Sequence, residues 1–184
     1  AEDDCPFWLE PTADFIGVEG SAHRFVLLLE TQGGLEFVFN DGGPTLGGGG
    51  GGRIIPAYGI TDRVTVGLGG GLGGGSQLPK SDGGDRQFTA YVEGGIPLLV
   101  RYREGLILWD SVAEIFARAP EDDLERFDPG ARLSQSIGFA SLRIGPFMPY
   151  GLISIDYEIF PAARGRETLH GVRFGTRVGL VWDP

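Results

Sequence analysis

One cysteine, Cys5, and one lysine, Lys80, stand among 184 residues, and no run of 18 apolar residues occurs anywhere. The lone cysteine excludes an internal disulfide. Without a long apolar run no transmembrane helix can form. Basic residues are outnumbered, 15 against 25 acids for a net charge of −10, and they form no cluster, so nucleic acid is not an expected partner. Helix-compatible composition is missing as well: 33 glycines, each costing about 1 kcal/mol relative to alanine inside a helix, argue against a helical protein. Their spacing is non-periodic, which excludes collagen.

What the chain does have is a period of two. Residues 169–182 read L-H-G-V-R-F-G-T-R-V-G-L-V-W. The even positions from His170 to Trp182 are mostly apolar, while the odd ones carry Gly171, Arg173, Gly175, Arg177 and Gly179. Alternation of this kind marks a strand with two unlike faces. Soluble strands usually run about 5 or 6 residues, whereas a tilted strand needs roughly 9–11 to cross a bilayer's hydrocarbon, so a greasy face toward lipid is expected. Mean hydropathy near zero does not oppose this, because every second residue of such a strand faces away from lipid.

The same alternation divides the whole chain, this stretch included, into eight strands. Residues 1–22 hold six acids and no base, together with Phe7 and Trp8, and read as an irregular leader preceding a barrel domain at 23–184. Ala1-Glu2-Asp3-Asp4 resembles the polar start that remains after signal-peptide cleavage. Residues 23–40 keep unbroken parity and form the first strand; 53–60 and 64–72 form a hairpin; 87–102, 106–118, 131–142, 147–160 and 169–182 complete the set. The tract Gly47 to Gly52 is expected to be a flexible loop. Long connections at 41–52, 73–86, 119–130 and 161–168 then alternate with short ones at 61–63, 103–105 and 143–146. Pro56, Pro97 and Pro149 fall inside strands, where each removes a ladder donor, so bulges or strand ends are expected there.

This strand pattern, the loop alternation and the terminal F-G-T-R-V-G-L-V-W stretch resemble the small eight-stranded outer-membrane β-barrels of Gram-negative bacteria, the group of the OmpA transmembrane domain, OmpX and OmpW. The resemblance covers residues 23–182 at the level of pattern. It implies an all-β, antiparallel up-and-down transmembrane barrel in outer-membrane lipid, with both termini periplasmic and a structural or protein-interaction role. The chain departs from the group at its end, where Asp183 and Pro184 follow the aromatic Trp182.

Parity places Arg24, Glu30, Glu93, Arg101, Asp110, Glu114, Arg118, Asp156, Glu158, Arg173 and Arg177 on the inward face. Six acids among five arginines suit a mutually neutralising network in a closed lumen better than an acid/base pair. No catalytic, cofactor or metal residue is expected: Gly69 to Gly74 matches G-x-G-x-x-G, yet no helix pattern follows to supply a phosphate site. Inward glycines 67, 69 and 71 are expected to make room for Arg and Tyr side chains. Cys5, Phe7 and Trp8 are the candidates for contact with a protein partner, since the leader is too apolar for a free tail and too acidic for anionic lipid. A soluble lipocalin-like barrel is the competing architecture and would turn its apolar face inward; a small channel is the competing activity.

Overall fold

A computed structural model describes residues 22–40, 43–77, 89–121, 124–125, 127–162 and 167–184. The leader with Cys5, Phe7 and Trp8, and most of the expected loop at 73–86, lie outside these residues. Nine strands are defined: β1 Phe25–Asn40, β2 Gly43–Gly59, β3 Val64–Leu68, β4 Gly70–Gln77, β5 Thr89–Glu104, β6 Ile107–Pro120, β7 Asp128–Ala140, β8 Phe147–Phe160 and β9 Leu169–Trp182. Each pairs antiparallel with its neighbours, and β9 pairs back onto β1 over residues Leu27 to Phe39, so the sheet closes on itself.

The ring has eight staves, because β3 and β4 are two halves of one. Both pair with β2 on one side and β5 on the other, and the register is unchanged across the gap, with Ala57 opposite Gly67 and Ile54 opposite Gly70. The break falls at Gly69, whose N–H donates to the Pro97 carbonyl at 3.1 Å. Pro97 has no N–H to return the bond. The ladder therefore loses one hydrogen bond without a bulge, which is how this proline is accommodated.

Cross-strand partners show how far the staves are staggered. Val26 faces Ala57, and the line continues through Gly67, Leu99, Val112, Ser134, Asp156 and Arg173 to Glu36, ten residues beyond its start. Eight strands with a stagger of ten and ordinary strand spacings correspond to a tilt of about 40°. At that size the side chains fill the interior.

Glycine corrects the sequence reading at one place. The tract Gly47 to Gly52 is not a loop but the middle of β2, paired with β1 on one edge and β4 on the other. The first expected long connection thus shrinks to the two residues between Asn40 and Gly43. Similarly, residues 73–77 belong to β4, and β6 and β7 extend into the expected loop at 119–130.

Candidate functional site: the lumen charge network

The two faces of the wall differ completely. On the outer face lie Phe25, Leu35, Ile54, Leu72, Ile115, Ile153, Val178 and many similar side chains, and the outward positions of the described strands carry one charged residue, Glu104, the last residue of β5 at a short turn, where it pairs with Arg63. On the inner face, seven carboxylates (Glu30, Glu36, Glu93, Asp110, Glu114, Asp156, Glu158) and six arginines (Arg53, Arg101, Arg118, Arg132, Arg173, Arg177) are buried. Parity forces this separation, since alternate residues of a strand point to opposite sides.

Two layers fill the interior. Near the short turns and the chain ends the filling is apolar: Val26, Leu28, Ile55, Leu99, Leu108, Val112, Met148 and Val181 pack together. Within that layer sits one isolated ion pair, Arg101 with Asp110, cross-strand partners joined through two parallel hydrogen bonds of 2.8 and 2.7 Å. The Tyr150 ring lies 4.1 Å from the Arg101 guanidinium.

Toward the opposite mouth the filling becomes ionic and its members share partners. Arg132 reaches three acids, Glu158 at 2.7 Å, Glu114 at 2.7 Å and Glu93 at 2.9 Å. Arg118 also reaches three, Glu36 at 2.8 Å, Glu93 at 3.0 Å and Glu158 at 3.1 Å. Arg53 joins Glu114 at 2.6 Å and Glu30 at 3.5 Å, and Arg173 approaches Glu158 at 3.2 Å. Arg177 links the two layers by holding Asp156 at 3.0 Å. Aromatic rings enclose the cluster: Arg118 lies 4.0 Å from the Tyr91 ring and 4.9 Å from that of Phe160, and Arg132 lies 4.5 Å from the Phe116 ring. Tyr91 and Tyr150 add hydroxyl donors to Glu36 and Glu30, each at 3.1 Å.

Every one of the seven carboxylates is thus held by at least one guanidinium. The unsatisfied polar atoms at the junction of the layers are Ser134 Oγ, Ser136 Oγ and the Nε and Nη1 of Arg177.

Inward glycines create the space. A Cβ on Gly49 or Gly75 would meet the Tyr91 hydroxyl at 2.7 or 2.6 Å, and one on Gly95 would meet a Glu114 oxygen at 2.5 Å. Among the three positions singled out in the sequence, Gly71 makes room for Arg53, as expected of an arginine. Gly67 accommodates Ile55 and Ala57 instead, and Gly69 lies against the Ile54 backbone.

Ten of the eleven expected lumen charges are buried together. Arg24 is the exception: it precedes β1, is exposed, and contributes its carbonyl to a hydrogen bond from Gly59 N–H, so strand parity does not reach it. Three members were missed. Glu36 shares parity with Glu30, a signal that was available; Arg53 adjoins the glycine tract taken for a loop; and Arg132 sits in β7, whose small and polar residues obscure the period.

The architecture belongs to the class of small eight-stranded outer-membrane-type β-barrels. Among solved structures, the chain is similar to Neisserial surface protein A (NspA), with a TM-score of 0.54, 10% identity, and coverage of 86% of this chain and 97% of that one. It also matches Ail, the attachment invasion locus protein of Yersinia pestis, with a TM-score of 0.46, 10% identity, and coverage of 86% and 99%. No protein-family model and no curated protein matches the sequence.

Proposed function

We propose that the protein is an integral barrel of a bacterial outer membrane with a structural or protein-interaction role and a sealed lumen. The observation that carries this reading is the apolar outer face, uncharged except for Glu104 at a short turn, set around a charged interior. In water such a wall would expose leucine, isoleucine and phenylalanine over its whole girth, far beyond the few hundred Å² of contiguous apolar surface that soluble monomers tolerate. Bilayer hydrocarbon is the solvent that suits it. Aromatic side chains mark one rim, where outward Tyr102 and Trp109 are cross-strand partners, as are Phe147 and Trp182. These positions lie near the short turns, as the interfacial aromatics of a membrane barrel do. The lipocalin arrangement has the opposite polarity and does not describe this wall.

The filled interior supports a non-conducting role over a channel, because an eight-stranded lumen packed with side chains leaves no continuous aqueous path. Fractionation tests the first half: the protein is expected in detergent-requiring envelope fractions, and recovery from soluble periplasm would overturn the membrane reading. Planar-bilayer recording tests the second, with no stable single-channel steps expected. No catalytic role is proposed, and the leader with Cys5, Phe7 and Trp8 remains the proposed contact for a periplasmic protein partner.

A further inference from the structure

The outward positions of the described strands include one carboxamide, Gln135, set seven residues into β7 and flanked by Ser111 of β6 and Ile155 of β8. Its Oε1 accepts two hydrogen bonds, from Trp109 Nε1 and from Ser111 Oγ, both at 2.9 Å. An indole nitrogen only donates, so Trp109 fixes which end of the amide is oxygen. The NH2 group must therefore point the other way, and it donates to none of the described residues. Beside it runs a groove of about 410 Å³ on the outer wall, bordered by Trp109, Ile137, Ile153, Ile155 and Phe174.

The Ser111–Gln135 rung lies two residues further from the short turn than the rim residue Trp109, on the hydrocarbon side of it. There this is an expensive arrangement, since lipid tails offer no acceptor and an unsatisfied polar group costs several kcal/mol. From these contacts we infer that the β6–β8 face is the interface between two copies of this chain, seated across Gln135 and Ser111. The hydrogen-bonding inventory is self-complementary. With its proton committed to Gln135, the Ser111 hydroxyl retains lone pairs, while Gln135 retains N–H donors and has both acceptor positions of its oxygen filled. A two-fold axis brings the Gln135 amide of one copy to the Ser111 oxygen of the other and repeats the bond in reverse, the isologous pattern of a symmetric dimer. The branched and aromatic side chains around the groove supply van der Waals packing, which with polar contacts drives association inside a membrane.

This inference rests on the membrane reading, and the experiment separates the two failures. Full-length protein is reconstituted into phosphatidylcholine/phosphatidylglycerol vesicles in donor- and acceptor-labelled pools, and energy transfer is followed as lipid dilutes the protein. Failure to insert would refute the membrane reading itself; insertion without concentration-dependent transfer would overturn only the dimer. For the wild type, transfer that falls with dilution is expected. Gln135→Leu and Ser111→Ala each remove both reciprocal bonds from a homodimer, so each is expected to weaken association roughly tenfold, a few-fold per bond. Both substitutions face lipid and are expected to leave heat-modifiability unchanged; Gln135→Asn, which keeps an amide, serves if Gln135→Leu does not fold. The decisive sample mixes the variants: a Gln135→Leu copy retains the acceptor and a Ser111→Ala copy retains the donor. That mixture regains one bond and should associate a few-fold more tightly than either variant alone. If the mixture is no tighter than the parents, or Gln135→Leu dimerises like the wild type, this interface is wrong.

Discussion

The two layers of the lumen solve the same packing problem with opposite chemistry. Near the short turns, Leu28, Leu99, Leu108 and Val112 fill the space and one ion pair stands alone among them. Toward the far mouth, Arg118 and Arg132 each bind three carboxylates, so no pair there is separable from the others. In the first layer damage should stay local; in the second, losing one member strands several. A buried charge without its partner costs more than a buried cavity of similar size, and that difference is open to measurement.

The largest effect is expected for Arg173→Glu, which removes a cation lying near Glu158, Glu36 and Glu93 and adds an acid among them. A loss of at least about 3–5 kcal/mol is expected, read as the fall in urea midpoint of the lipid-inserted barrel. Leu99→Ala, in the apolar layer, should cost about 2–5 kcal/mol through its cavity, with the variant still migrating as a compact, heat-modifiable species. A third variant attacks the comparison directly. Replacing Arg101 and Asp110 together by leucine should change stability by no more than about 1–2 kcal/mol, whereas Asp110→Leu alone should cost about 3–5 kcal/mol by leaving Arg101 unpaired. Equal losses for the single and double variants would mean that the lone pair is as interdependent as the network. The smallest effect belongs to Thr176→Val on the outer face, within about 0.5 kcal/mol by chemical denaturation. A loss approaching that of Arg173→Glu would reverse the assignment of faces.

The sequence displayed faces better than it displayed boundaries. In β8 the outward Ile153, Ile155 and Tyr157 alternate with inward Ser154, Asp156 and Glu158, and the structure keeps that order because side-chain parity is a geometric property of any extended strand. In β2 the same geometry is silent: six consecutive glycines have no side chains to alternate, yet their N–H and C=O groups pair on both edges. Composition therefore suggested a loop where backbone pairing made a wall. Arg132 was hidden for a related reason, since Gly130, Ser134, Ser136 and Gly138 give β7 an inward face with little contrast. The pairing of Gln135 with Trp109 and Ser111 could not be read at all, because it depends on the register between β6 and β7 and on no local motif.

Closure of the ring by β1 and β9 has a consequence for the order of events during biogenesis. Thirteen residue pairs, from Leu27 with Trp182 to Phe39 with His170, join the first stave to the last. All other neighbouring staves are also neighbours in sequence, so hairpins can form early, but this seam must wait until the final strand is available. Until then the nascent sheet carries two open edges able to pair with any passing strand. The loop-closure entropy of nearly the whole chain falls on this one step, which makes it the natural slow stage of folding and the period of greatest need for a chaperoning surface.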